Sequence, residues 1–138
     1  MTFVKSPVGV LHEVYIIKQN KNFMKEYLLL FWNESGDGHY QADPEKMKAA
    51  MSAWQTWIGT LARSGNLIST KPIQWEGVTV GNTGITDAPA IKERQMVTGY
   101  LLCKAKTLSE VKAWATSCPI LQNPAGFTEI REVSPFEI

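Results

Sequence analysis

No apolar run in the chain approaches the roughly 18 to 20 residues that a helical membrane span needs; the longest is "YLLLFW", Tyr27 to Trp32. The opening "MTFVKSPVGVLHEVYIIKQNKNF" has one early lysine, an interrupted apolar stretch and no small-residue cleavage site, so it makes a poor export signal. Cysteine is scarce: Cys103 and Cys118 can build neither a disulfide framework nor a four-thiolate metal site, and they read as buried free thiols. A cytoplasmic setting is the expectation. An excess of either charge is also missing. With 14 basic and 13 acidic residues the net charge is +1, which gives no field suited to nucleic acid or an anionic membrane, and neither is expected as a partner. The two histidines, His12 and His39, belong to no H-E-x-x-H pattern, and no paired C-x-x-C or dense His/Asp cluster points to a metal. "GVTVGNTG" lacks the G-x-G-x-x-G and G-K-[ST] patterns of phosphate loops, and no G-x-S-x-G marks a serine hydrolase. No cofactor is expected.

What is present fits one globular domain. The 138 residues are 44% hydrophobic and 20% charged, enough to bury a single core. Met24-Lys25-Glu26, directly followed by a strong strand, resembles an ordinary start. We expect an extension over residues 1–23, in which "VYII" (Val14 to Ile17) forms an extra strand, and one domain over 24–138.

From Met24 the periodicities alternate. "EYLLLFW" is apolar at both parities, as in a strand covered on both faces. "SGDGHYQ" is a Gly-rich loop, and Asp43-Pro44 supplies an N-cap followed by proline at the first helical position. Met47, Ala50, Met51, Trp54, Trp57, Ile58 and Leu61 recur at helical spacing, and Gly65 is placed to end the helix. "KPIQWEGVTVGNTGITD" reads as hairpin strands holding the second sheet segment. "MVTGYLLCKA" is a second doubly apolar strand, with Val97, Leu101 and Cys103 on one face and Tyr100 and Leu102 on the other. Thr107-Leu108-Ser109-Glu110 forms a capping box that starts a second helix, which stops near Cys118-Pro119. "GFTEIREV" is a closing strand with polar outward positions.

This order predicts an α+β fold: a ferredoxin-like βαββαβ antiparallel sheet with both helices on one face. The two apolar strands take the centre and the last strand an edge. Helices on one face leave Leu, Tyr and Trp side chains on the other. At about 25 cal/mol per Å², hiding several hundred Å² is worth on the order of 10 kcal/mol before association costs. A homodimer through the open sheet face is expected, as in dimeric α+β barrels; the competing reading is that residues 1–23 fold over that face and leave a monomer.

The stretch "ITDAPAIKERQMVTGYLLCKAKTLSEVKAWATSCPI" resembles the YCII-related family in its DGPF-type branch. The branch signature runs T-D-G-P-[FY]-x-E-x-K-E, then a Gly-Tyr strand, a capped helix and a Cys-Pro. Thr86, Asp87, Pro89, Lys92, Glu93, Gly99, Tyr100 and Cys118-Pro119 match it. Ala88 and Ala90 depart from the pattern, so the turn lacks a glycine that takes positive φ cheaply. The resemblance implies a small cofactor-free enzyme of lyase, isomerase or dehydrochlorinase type. It equally implies a regulatory module linked to extracytoplasmic-function sigma factors. It also implies a histidine on the first helix paired with the loop aspartate; counting back from Gly65 puts Trp54 at that position.

Asp87 is the candidate catalytic residue, a general acid or base if burial or a partner adjusts it. The plain alternative is a turn cap bonded to amides two or three residues on. Trp54, Trp57, Trp32, Tyr100 and His39 are candidate lining residues for a small-molecule pocket; for the tryptophans the competing reading is core packing, and for His39 a solvated loop.

Overall fold

A computed structural model describes residues 23–35 and 44–136. The expected extension, the strand at Val14 to Ile17, His12, His39 and the Asp43 cap all lie outside the described residues.

The elements are β1 (Lys25–Glu34), α1 (Pro44–Arg63), β2 (Leu67–Pro72), β3 (Thr79–Gly81), β4 (Gly84–Thr86), β5 (Gln95–Ala105), α2 (Leu108–Ala115), a short 3₁₀ turn (Pro119–Gln122) and β6 (Phe127–Glu132). Four strands form one sheet in the order β2-β5-β1-β6 with antiparallel neighbours, while β3 and β4 make a separate ribbon. This is an α+β architecture with the ferredoxin-like strand order, the two most apolar strands at its centre. Each of β1 and β5 has a strand on both sides, which puts them at the centre of the sheet.

One face of the sheet holds the core. Tyr27, Leu29 and Phe31 of β1 and Leu101, Cys103 and Ala105 of β5 alternate into a cluster with Trp57 and Leu61 of α1 and Val111 of α2. Both helices therefore cover the same face. Each large side chain so buried contributes about 1.5–3 kcal/mol relative to exposure. Helix α1 ends as the glycine predicts: Gly65 takes φ 79°, its amide bonds the Ala62 carbonyl, and the Asn66 amide reaches back to Leu61. Those two bonds make a Schellman cap. At the other end of the helix Met47 and Met51 remain exposed, so the apolar stripe runs on beyond the core.

Three details differ from expectation. The second sheet strand is Leu67–Pro72, which begins four residues before the "KPIQWEGVTVG" stretch and shares only Lys71 and Pro72 with it, because the tight Gly65 cap returns the chain to the sheet at once. The later hairpin forms at Thr79–Thr86 but pairs only with itself. In β5 a bulge skips Thr98, with Phe31 opposite Gly99 and Trp32 opposite Val97. An extra residue reverses the alternation, so Val97 leaves the Leu101 face and Met96 is buried in its place. In α2 the box is offset: the Thr107 hydroxyl accepts the Glu110 amide at 3.3 Å, but Glu110 accepts from the Lys106 amide rather than from Thr107.

The open face carries Leu28, Leu30 and Trp32 from β1 beside Tyr100 and Leu102 from β5. All five are only partly exposed in the single chain. Trp32 stacks on Phe127, with centroids 5.7 Å apart and planes 8° apart, and donates to Glu129 at 3.2 Å. Among the described residues no helix is long and apolar enough to cross a membrane.

Candidate functional site

Asp87 follows the last residue of β4, at the point where the ribbon turns back toward the sheet. The ribbon is short because Gly81 and Gly84 end it; Gly84, at φ 142°, takes a backbone that other residues avoid. Thr79 then ties the far side of the loop, its hydroxyl donating to the Ala88 carbonyl at 2.8 Å. Pro89 sits against Gly77, where an added Cβ would lie 3.4 Å from the proline ring. The loop is thus pinned just after the aspartate. Ala88 keeps an ordinary negative φ, so losing the signature glycine costs no backbone strain there.

The left-handed positions fall later. Lys92 and Gln95 exchange two backbone hydrogen bonds around Glu93 (φ 52°) and Arg94 (φ 68°). That is a two-residue turn with positive φ at both central residues, the geometry that Asn and Gly adopt more readily. Ser35, fully buried, holds it from below: its amide and its hydroxyl both donate to the Arg94 carbonyl at 2.8 Å. Arg94 also pairs with Glu34 at 3.5 Å, largely in solvent. The aspartate loop is therefore anchored to the end of β1 through main-chain contacts.

The carboxylate itself is exposed, and among the described residues it makes no hydrogen bond or ion pair. No turn-capping bond consumes it. The site candidates that lie among the described residues are not brought together. Trp54 and Trp57 lie on the helix side, where Phe31 meets Trp54 edge-on at 4.9 Å and Trp57 at 6.1 Å, and the Trp57 indole donates to the Trp114 carbonyl. Trp32 and Tyr100 face the other way, Tyr100 within 3.0 Å of the Ser69 hydroxyl. Asp87 stands on the ribbon, and His39 lies outside the described residues.

A depression of about 380 Å³ is lined by Met24, Asn66, Lys106, Glu110 and Trp114. It opens where β1 starts and β5 ends. Asp87 is not among the residues that line it. Both thiols are buried: desolvation pushes Cys103 up to about 11 and raises Cys118 as well, so neither is an activated nucleophile.

A model of the YCII-related domain matches residues 27–137, spanning every element from β1 to β6. The chain belongs to the YCII-related family. The YCII match covers both the core that orders Trp54 and the loop that carries Asp87, so the two signature regions sit in one domain. No curated protein matches the chain. Within this YCII domain, sequence reasoning found the Thr107 cap but missed Ser35 and the Glu93-Arg94 turn. Ser35 carried no signal of its own; the turn was hidden because neither of its central residues is Gly, Asn or Asp.

Proposed function

We propose that the protein is a homodimeric, non-catalytic binding or regulatory module of the DGPF-type branch. It assembles as a dimeric α+β barrel and takes a small-molecule ligand without a cofactor. The observation that carries this reading is Trp54. It occupies the helix position where the family resemblance implies a histidine, and it is interlocked with Phe31 and with Trp57 at 5.8 Å. An indole there has no proton to exchange near neutral pH, so Asp87 has no partner of the implied kind. Association with extracytoplasmic-function sigma factor systems follows from the branch resemblance. The buried free thiols fit a reducing, cytoplasmic compartment.

One observation favours a second reading. The Asp87 carboxylate is not spent on the turn, which leaves it available as an acid or base in a cofactor-free lyase, isomerase or dehydrochlorinase. A thermal-shift screen against a metabolite library, followed by product analysis, separates the two, since a ligand bound only by the native state raises Tm. A module raises its Tm with a compound it leaves unchanged. Turnover that Asp87→Asn abolishes would establish the enzyme.

A further inference from the structure

Where β5 gives way to α2, three segments meet around the depression of about 380 Å³. The Gly65 cap delivers Asn66, whose carbonyl accepts the Lys104 amide and whose side-chain amide donates to the Lys104 carbonyl, both at 2.8 Å. Two residues on, the Lys106 amide donates to the Glu110 carboxylate at 3.1 Å, which fixes the first turn of the helix. One turn later Trp114 packs against the core, and its carbonyl accepts the Trp57 indole at 3.0 Å. Met24 closes the side where β1 begins. The walls at Asn66, Glu110 and Trp114 are thus set by hydrogen bonds and core packing. The volume lies at the small end of the roughly 300 to 1,000 Å³ of ligand pockets, so the depression suits a small metabolite.

The lining is apolar at Met24, Ala113 and Trp114 and carries one charge of each sign. Lys106 and Glu110 are both exposed, and among the described residues neither forms an ion pair with the other or with any further group. One Glu110 oxygen serves the Lys106 amide, which leaves the second open. The Trp114 indole N–H also makes no hydrogen bond among the described residues. A simple cation entering the depression meets the Lys106 ammonium, and a simple anion meets the Glu110 carboxylate, so each is repelled by one wall. A neutral molecule that carries both charges answers both groups at once.

We propose that this depression is a binding site for a free α-amino acid with an apolar side chain: its ammonium pairs with Glu110, its carboxylate with Lys106, and its side chain lies against Trp114 and Met24. Asn66 shapes the wall without recognising the ligand, because its amide is spent on Lys104 and its oxygen on the Ser64 hydroxyl. A polar side chain is disfavoured, since it would lose water against the apolar walls without gaining a partner. Both charged groups of the site stay in contact with solvent, so the affinity is millimolar. The inference goes beyond the module reading above, since the site uses neither Asp87 nor the open sheet face.

The test is an NMR titration of the isotope-labelled full chain with L-leucine, read at the assigned Trp114 indole N–H, beside N-acetyl-L-leucine and L-leucine amide. L-Leucine is expected to move that resonance saturably with a millimolar Kd. Each blocked analogue lacks one charge and is expected to bind about tenfold more weakly or worse. Glu110→Gln keeps an acceptor for the Lys106 amide while removing the charge, and both it and Lys106→Gln are expected to raise the Kd for L-leucine by about the same factor. No saturable shift with L-leucine overturns the site. Equal Kd values for L-leucine and the two blocked analogues overturn it as well, and this comparison on the wild type decides even if a variant misfolds. The module reading is judged separately: a compound from the metabolite screen that raises Tm without moving the Trp114 resonance upholds that reading through another site.

Discussion

At Cys103 burial acts on a single proton. Desolvation pushes the thiol up to about 11 from an ordinary value of 9.0, while in the unfolded chain the group titrates normally. The folded state then holds the proton that the unfolded state releases, so stability is fully present below pH 9, falls as pH rises toward 11, and levels off beyond. The loss is on the order of 2 kcal/mol. Urea titrations at pH 8 and pH 10 should show about half of it, with a smaller difference in Cys103→Ala, although that variant starts less stable because of the cavity it leaves. Tyr27 adds to the same alkaline slope, its phenol raised by desolvation and then by Glu132, Cys103 and Glu110. Burial of these two side chains was legible in the strand pattern. The roles of Ser35 and Gly126 were not. A Cβ on Gly126 would strike the carbonyl oxygen of Ile120, and Ser35 is defined by the Arg94 carbonyl 59 residues away. Neither contact has a local sequence signature.

Local chemistry explains most of the elements. Gly65 ends α1 and Thr107 opens α2 through bonds within a few residues, so both helices could be bounded from the sequence alone. The Lys92–Gln95 turn is the exception. Glu93 and Arg94 hold left-handed backbones that cost about 1–2 kcal/mol each for ordinary residues. They persist because Ser35 grips the Arg94 carbonyl and the flanking strand β5 is fixed in the sheet. Glu93→Asn, which tolerates this backbone, should stabilise the protein by about 0.5–1 kcal/mol. A higher urea midpoint with an unchanged slope would report it. The bulge at Thr98 and the early position of β2 were likewise hidden, since both depend on which strand lies opposite.

For the whole molecule, the distribution of apolar surface governs behaviour. The helices cover one side of the sheet; Leu28, Leu30 and Leu102 line the other, and the ribbon projects Val80 and Ile85 into solvent. Binding that occurs only in the native state adds stability by mass action. The homodimer proposed above predicts a Tm that rises with protein concentration, by several degrees per hundredfold, given that about 1 kcal/mol shifts a domain of this size by about 4 °C. Differential scanning calorimetry from low to high micromolar chain measures this, and a constant Tm would count against association. Asp87 faces water with no polar partner among the described residues.

The sequence by itself determined the order of the elements, the central places of β1 and β5, the helix caps and the family, because each depends on periodicity or on residues a few positions apart. Tertiary structure alone decided the face on which each candidate side chain lies. Trp54 and Trp57 went to the helix side, Trp32 and Tyr100 to the open face, and Asp87 to an exposed loop after the β3–β4 ribbon. In a strand one bulge or one residue of register exchanges the two faces, and that choice is made by the opposing strand.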